Sequence, residues 1–332
     1  MEYTRLGRSN VEVSKICLGT MHFGTRTPEP EAFEIMDKAL EMGINFFDTA
    51  NAYGRPQTGL TEEIIGRWMA QGDGRRDRIV LATKVYSHMV EDPGPNESRG
   101  ISAYKIRKHC QDSLRRLQTD HIDLYQVHHI DRTITLEEFW RTFERLEDDG
   151  DILYVGTSNF PGWGLAKFQM AAWQRGLTGI VSEQTQYNLL NRIPELEVLP
   201  AAKEFGIGVI PYMPLGGGLL AGKTKLVEGS RSAQVWDEYQ LTPDRQWQFD
   251  AYSELCKELG EPEHVVAIAW TLAHPAVDSA IVGVRRLGHL EGLDRAAALE
   301  LDDETMARLD EIFDINNGRP LGKGPAPEAY AW

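Results

Sequence analysis

An acid, a tyrosine and a lysine stand in the sequence where they could act together on a proton. Asp48 ends the apolar run 44–47, and Tyr53 follows it in a loop of small residues. Lys84 ends a second apolar run, at residues 79–83. A phenol alone is a poor acid at neutral pH because its pKa is about 10, but a cation held nearby by a carboxylate makes its proton easier to lose. These residues therefore predict general acid chemistry with Tyr53 as the proton donor.

Other apolar runs also end in polar residues. The further examples along the chain are His128, Ser158 with Asn159, Gln184 and Tyr212. Any one of them alone is as easily a solvated loop residue or a structural hydrogen-bonding group. In a barrel of parallel strands, however, the carboxyl ends of all strands meet at one mouth, so we expect these side chains to converge there. His128 and His129 should lie on opposite faces of their strand, so that only one reaches the mouth.

The order of the elements predicts an α/β fold, a (β/α)8 TIM barrel. Apolar runs alternate with helical patterns along the chain, which gives eight βα units. The expected arrangement is one domain over 1–332, with an N-terminal β-hairpin at 2–14 covering the barrel floor, the barrel at about 15–300, and an additional C-terminal helix and tail at 301–332. In detail, we expect a helix capped by Thr61, helices over 195–205 and 287–298, and a seventh barrel strand over 207–212.

Composition excludes several classes of function. The 332 residues suit a barrel, and 42% hydrophobic residues suffice for a large core. A net charge of -15 argues against nucleic acid and against anionic membrane surfaces. Three separated cysteines fit a reducing, cytoplasmic setting. Residues 1–7 have no apolar stretch, so no signal peptide is expected, and no run approaches the roughly 18 apolar residues of a membrane span.

Two alternative sites have sequence patterns that must be weighed. Residues 217–224 match the phosphate-binding pattern G-x4-G-K-T. That motif needs a strand that leads into a helix, whereas Pro211 and Pro214 precede this copy and no helical period follows it. A metal-dependent hydrolase would need spaced ligands, and adjacent His128 and His129 do not supply them. We therefore expect neither a nucleoside triphosphatase nor a metal site.

From about residue 3 to residue 315 the sequence resembles the aldo-keto reductases. The motifs that carry the resemblance are 18–21 (Leu-Gly-Thr-Met), 48–54 (Asp-Thr-Ala-Asn-Ala-Tyr-Gly), 83–84 (Thr-Lys), 123–128 (Asp-Leu-Tyr-Gln-Val-His), 156–160 (Gly-Thr-Ser-Asn-Phe), 184–190 and 214–216. The resemblance implies Tyr53 as proton donor, Lys84 and Asp48 as the pair that tunes it, and His128 as the residue that orients the substrate carbonyl. The local sequence around these motifs is similar to that of a bacterial branch of the family, which includes ketoreductases of deoxysugar pathways.

The same resemblance implies an NADP(H) cofactor, with NAD(H) as the alternative, extended across the barrel mouth. Ser158, Asn159 and Gln184 would hold the nicotinamide amide, and Tyr212 would stack on its ring. Met213 stands where many relatives have serine. The full set of cofactor-binding candidates is Thr20, Met21, Asp48, Ser158, Asn159, Gln184, Tyr212, Met213, Leu215, Gly217, Lys223, Gly283, Arg285 and Arg286.

Cofactor choice is predicted from the arginine pair after the eighth strand. NADP(H) carries a 2′-phosphate, which favours fixed cationic donors. Arg285 and Arg286 precede the predicted helix 287–298, so two guanidiniums and a helix N-terminus would face this phosphate, and Lys223 would add a third charge. We therefore expect NADPH to be preferred over NADH.

The expected activity is reduction of an aldehyde or ketone to an alcohol. Two alternatives stay open: a reductase of a keto-sugar or nucleotide-linked deoxysugar, and a non-catalytic NADPH-binding regulatory protein such as the channel-associated members of the family. The expected partner is a small-molecule carbonyl substrate, with no nucleic acid and no membrane, and the chain is either a monomer or a homo-oligomer.

Overall fold

The floor of the molecule is closed by an N-terminal hairpin. The computed structural model describes residues 1–98, 100–222 and 243–314. Strands β1 (Tyr3–Arg5) and β2 (Glu12–Ser14) pair antiparallel. Leu6 and Val13 of this hairpin are buried among the apolar side chains at the lower end of the barrel interior. The hairpin therefore seals one end of the barrel and leaves the other end for chemistry, as predicted.

The main sheet has eight parallel strands and curls into a (β/α)8 barrel. Along the chain the strands are β3 (Ile16–Gly19), β4 (Phe46–Asp48), β5 (Val80–Val85), β6 (Ile122–Val127), β7 (Ile152–Ser158), β8 (Ile180–Gln184), β9 (Gly208–Val209) and β10 (Ala280–Gly283). Each strand pairs with the next, and β10 pairs with β3. Parallel bridges Val209–Val277 and Tyr212–Ile281 join the two ends of the sheet. The predicted fold is confirmed.

The period of two along each strand divides the interior into an apolar layer and a polar layer. Phe46, Ala82 and Leu124 belong to the buried apolar cluster at the lower end of the barrel. Side chains two positions apart in a strand share a face, so the residues two places further along point the same way nearer the mouth. These residues are Asp48, Lys84 and Gln126.

The helices cover the outside of the sheet. They span Glu29–Glu41, Leu60–Met69, Ala103–Leu117, Leu136–Asp148, Gly162–Gln174, Val198–Phe205, Pro243–Leu259, Glu263–Ala273, Leu293–Ala298 and Asp303–Ile312. Their apolar faces bury the outward side chains of the strands, including Phe47 and Tyr125, in one continuous core. Within the described residues, no helix is both long enough and apolar enough to cross a membrane.

Four local predictions are wrong, each for a local reason. Thr61 does not cap its helix, which begins at Leu60 after Gly59; its hydroxyl donates instead to the Phe23 carbonyl (3.1 Å). The strand predicted over 207–212 reduces to Gly208–Val209 plus isolated bridges, because Pro211 lacks an N–H for the ladder.

The two predicted helices 195–205 and 287–298 are each interrupted. The first is a 3-10 turn, Ile193–Leu196, followed by the α-helix Val198–Phe205, and Glu197 between them has non-helical dihedral angles. The second is a 3-10 turn, Leu287–Leu290, followed by Leu293–Ala298. Gly292 separates its two parts with a left-handed φ of 79°, a conformation that glycine adopts at little cost.

Candidate active site

Asp48, Lys84 and Tyr53 meet at the mouth of the barrel. The Lys84 Nζ atom donates to Asp48 Oδ2 at 2.6 Å and to the Thr49 carbonyl oxygen at 2.8 Å. It lies 3.4 Å from the Tyr53 hydroxyl and 5.1 Å from the centroid of that ring. Asp48 and Lys84 are buried, on neighbouring strands. The structure therefore brings together the three residues that the sequence pattern singled out.

The second oxygen of Asp48 is held by two amides. Gln184 donates its Nε2 to Asp48 Oδ1 at 2.9 Å, and Gln126 donates to the same oxygen at 3.1 Å. Gln126 was not predicted from the sequence to have a role in the site. The available signal was its position: it is the cross-strand partner of Lys84 in the β5–β6 register and belongs to the same polar layer. With both oxygens bonded, the carboxylate has one fixed orientation toward the ammonium.

Burial and charge act in opposite directions on the lysine. Burial disfavours its charged form, but Asp48 and the Tyr53 hydroxyl more than offset this and raise the pKa of Lys84 above its ordinary value. Because Lys84 is fully buried, its charge is screened little by solvent. The ammonium therefore stays protonated at neutral pH and acts on the phenol oxygen from close range.

His128 and His129 follow strand β6 and stack on each other. Their ring centroids are 5.0 Å apart with an angle of 4° between the planes, and both line the groove at the mouth. The prediction that only one of them reaches the mouth is wrong, because β6 ends at Val127 and strand alternation does not extend to these two residues. The Tyr86 ring packs edge-on against His129.

His128 is the histidine next to the tyrosine. Its ring lies edge-to-face on Tyr53, with the centroids 5.9 Å apart. Burial, followed by the charge of Lys84, lowers the pKa of His128 well below its ordinary value. The imidazole is therefore neutral at pH 7 and carries one N–H. Its Nδ1 atom is buried without a hydrogen-bond partner among the described residues.

A tight turn after β7 presents two more predicted residues. Asn159 has a left-handed φ of 57°, and its Nδ2 donates to the His128 carbonyl and to Ser158 Oγ. The Ser158 hydroxyl donates to the Gln184 carbonyl at 2.9 Å. The Tyr212 hydroxyl donates to Asn159 Oδ1 at 3.0 Å. The four residues therefore form one hydrogen-bonded wall beside Asp48.

An elongated groove of about 490 Å³ runs across the mouth from this wall to the region after β10. Among the predicted residues it is lined by Thr20, Met21, Asp48, Tyr53, His128, Ser158, Asn159, Gln184, Tyr212, Met213, Leu215, Gly217, Gly283 and Arg285. It is also lined by residues that sequence analysis did not select: His22, His264, His289 and Glu291. Lys84 lies behind the lining, Arg286 is not part of it, and Lys223 lies outside the described residues.

The far end of the groove is positively charged. Burial, with smaller effects from the charges of Arg26 and Arg286, lowers the pKa of Arg285. Thr27 Oγ1 donates to the Arg285 carbonyl at 2.9 Å and fixes the backbone there. The helix N-terminus expected beside these arginines is absent, because the 3-10 turn Leu287–Leu290 occupies that place. Any anion at this end would be held by the guanidiniums and not by a helix dipole.

One further observation narrows the chemistry. Within the described part of the chain, no group of three or more histidine, cysteine, aspartate or glutamate side chains is placed to hold a metal ion.

The family model for the aldo/keto reductases matches residues 15–314. The chain belongs to the aldo/keto reductase family.

Curated relatives within this family align over nearly the whole chain. An uncharacterized oxidoreductase, YrpG of Bacillus subtilis (strain 168), is 51% identical over 336 residues that cover 100% of both chains. The aldo-keto reductase YhdN of the same organism is 32% identical, covering 97% of this chain and 96% of the relative. A "Probable voltage-gated potassium channel subunit beta" of Arabidopsis thaliana is 31% identical, covering 99% and 100%. Membership of the aldo/keto reductases and the names of the two Bacillus relatives support an oxidoreductase function.

Proposed function

We propose that this protein reduces an aldehyde or ketone to an alcohol with NADPH, and that Tyr53 donates the proton. The observation that carries the proposal is the buried Asp48–Lys84 pair, 2.6 Å apart, with its ammonium 3.4 Å from the Tyr53 hydroxyl. A phenol beside a buried ammonium at the wall of a groove is suited to giving up its proton. Burying the ion pair costs desolvation free energy, which favours a functional reason for its presence.

The side chains divide the work of the reaction between them. A nicotinamide held in the groove would supply the hydride that turns the substrate carbonyl into an alkoxide. Tyr53 protonates that oxygen, and Lys84 stabilises the phenolate that remains. Asp48 keeps the ammonium charged and pointed at the phenol. His128, neutral at pH 7 and packed against Tyr53, donates its N–H to the carbonyl oxygen and orients it before the transfer.

The residues at the wall fit a nicotinamide amide. Both N–H groups of the Gln184 amide are used internally, toward Asp48 and Gln126, so its carbonyl oxygen is left to accept from a ligand. Asn159 Oδ1 is a second acceptor beside it, and Tyr212 borders the same space. The carboxamide of a nicotinamide has the matching pair of N–H donors, and the nicotinamide ring would then lie against Tyr212.

NADPH is proposed over NADH because of the arginines at the other end. Arg285 lines the groove, and its pKa is lowered by burial and by the neighbouring guanidiniums of Arg26 and Arg286. An anion placed among three like charges relieves their repulsion. The 2′-phosphate is the group that distinguishes the two cofactors, so this cluster favours NADPH.

The test is an absorbance assay for NADPH oxidation by the purified protein. The panel contains simple aldehydes, ketones, free keto-sugars and nucleotide-linked keto-deoxysugars, which covers the alternative substrate class. Oxidation that depends on the added carbonyl supports the reductase, and the best substrate in the panel identifies its class. NADPH binding with no turnover of any carbonyl would instead favour the regulatory alternative, which the name of the Arabidopsis relative supports.

A further inference from the structure

Glu183 is a fully buried carboxyl group that plays no part in the mechanism above. It precedes Gln184 on strand β8, and its side chain points to the opposite side of the sheet, away from the groove. Burying a carboxyl group without a cation partner costs several kcal/mol when it is ionised. A buried acid next to a ligand-binding residue therefore calls for an explanation.

The carboxyl group contacts the chain on both sides of the turn that bears Ser158 and Asn159. Thr157 Oγ1 donates to Glu183 Oε2 at 2.5 Å, just before the turn. The Phe160 N–H donates to Glu183 Oε1 at 3.0 Å, just after it. Asn159 between these contacts has a left-handed φ of 57°, a conformation that asparagine adopts more readily than most residues other than glycine. Glu183 therefore bonds to both ends of this tight turn.

We propose that Glu183 is a positioning residue for the cofactor, holding the turn of Ser158 and Asn159 from behind the sheet without contacting the groove. The inference rests on the proposed function, in which Asn159 of this turn and the adjacent Gln184 bind the nicotinamide amide. Gln184, the adjacent residue, belongs to the same hydrogen-bonded wall as this turn. One side chain therefore fixes the spacing between the two halves of the amide-binding wall.

The contact between Glu183 and the turn depends on pH through the protonation state of the carboxyl group. Burial raises the pKa of Glu183 to about 8, although the bonds from Thr157 and the Phe160 amide lower it. When the carboxyl is neutral, it donates to Thr157 Oγ1, whose own hydrogen turns to the Ser182 carbonyl at 3.4 Å. When Glu183 ionises above pH 8, the Thr157 hydroxyl turns back and donates to the carboxylate, and a buried negative charge remains behind the turn.

The charged groups on the elements that pack here do not supply a counter-ion. On the helix Gly162–Gln174, Lys167 is exposed, and on Val198–Phe205, Lys203 and Glu204 are exposed. Glu197 is occupied with the Trp163 N–H at 2.8 Å. Because no cation is close, the ionised carboxylate can regain hydration only if the turn moves away from it and admits water. We therefore expect NADPH to bind more weakly as the pH rises through about 8.

The sign of the stability effect follows from linkage. Between the ordinary value of 4.5 and about 8, the folded protein keeps the Glu183 proton while the unfolded chain has lost it. Stability contributed by this group is therefore present below pH 4.5 and is lost as the pH rises to about 8. Glu183→Gln has the shape of the neutral acid and carries no titratable group, so it should lack this loss.

The experiment titrates NADPH against intrinsic tryptophan fluorescence from about pH 6 to pH 9.5, and it measures thermal unfolding of the cofactor-free protein from about pH 4.5 to pH 9.5. In the unmodified protein we expect the NADPH Kd to rise by up to about tenfold per pH unit above pH 8. Glu183→Gln should match its Kd at pH 7 within about twofold, and should show neither the alkaline rise nor the linked loss of Tm. Glu183→Leu should weaken NADPH binding at every pH.

The matched control is Glu147→Gln. Burial raises the pKa of Glu147 to about 7, and this residue lies on the helix Leu136–Asp148, outside the groove. The control should keep the pH profile of NADPH binding seen in the unmodified protein, because Glu147 has no contact with the turn or the groove. If Glu183→Gln keeps the full alkaline rise, or Glu183→Leu binds NADPH normally, the inference is overturned while the proposed function stands. If the unmodified protein does not bind NADPH, both are overturned together.

Discussion

The two ends of the groove are built in different ways. At the catalytic end, Asp48 and Lys84 lie on barrel strands, are almost completely buried, and have every polar atom of their pair bonded. At the far end, Arg285 and Arg286 follow β10 in a short irregular segment, where Arg285 is partly exposed and Arg286 is exposed. The first region is part of the barrel core, whereas the second is surface.

This difference shows that the catalytic residues are tied to the stability of the barrel, whereas the residues that set cofactor affinity are not. A side chain at the catalytic end cannot change without disturbing the barrel interior, because the pair also satisfies buried polar groups. A side chain at the arginine end can change with little effect on the fold. We therefore expect losses at the catalytic end to combine chemistry and stability, and losses at the arginine end to appear in cofactor affinity alone.

The largest effect is expected from Lys84→Met. Removing one partner of a buried ion pair costs roughly 3–5 kcal/mol of unfolding free energy, and turnover should fall by about 100-fold or more as the phenol loses its cation. The alkaline limb of the pH profile for alcohol oxidation should also move to higher pH. Chemical unfolding and steady-state kinetics measure the two effects.

The control for this variant is Lys38→Met, which removes an exposed lysine paired with Glu41 and should change neither quantity. An unshifted pH profile combined with weakened NADPH binding would make Lys84 a cofactor ligand and not a residue that tunes Tyr53.

Tyr53→Phe separates chemistry from stability within the catalytic end. It keeps the ring and removes only the hydroxyl, so reduction should slow by about 100-fold or more, the size expected of general acid catalysis. The NADPH Kd should change by less than about twofold. Tyr104→Phe, at an exposed tyrosine, is the control. Near-normal turnover by Tyr53→Phe with an ordinary ketone would remove Tyr53 as the donor.

Arg285→Ala tests the arginine end. Losing one charged hydrogen-bond partner costs about 1.5–3 kcal/mol, which is roughly 10- to 150-fold in NADPH affinity. NADH affinity and the Tm should be nearly unchanged, and Arg286→Ala alone should have the smaller effect because Arg286 does not line the groove. Arg308→Ala, at a surface pair with Glu258, is the control. Equal use of NADPH and NADH by the unmodified protein would contradict the prediction.

Gln126→Leu should have the smallest effect. It removes one of the two amide donors to Asp48 Oδ1, and Gln184 still donates to that oxygen. The expected loss is about 1.5 kcal/mol of unfolding free energy, with a modest fall in turnover. Gln111→Leu, which removes an exposed bond to Asp151, should cost less than about 0.5 kcal/mol. Equal losses in the two variants would mean that the polar layer does not stabilise the barrel.

Strand ends were the part of the site that could be predicted well. The apolar runs before Asp48 and Lys84 mark buried strands, and parallel strands of a barrel must end at the same mouth. Irregular segments were predicted less well. The expected helix at 287–298 is interrupted at Gly292, and its helical spacing of apolar residues does not reveal that this glycine takes a left-handed φ.

The sequence by itself determined the class of fold, the residues at the strand ends and the chemistry open to them, because these depend on local periodicity and residue type. Only the tertiary structure decided how far apart the side chains lie and which of them form hydrogen bonds with each other. The role of Gln126 as a donor to Asp48 and the position of Glu183 behind the turn both depend on strand register. Register brings together residues far apart in the chain, and no short stretch of sequence encodes that distance.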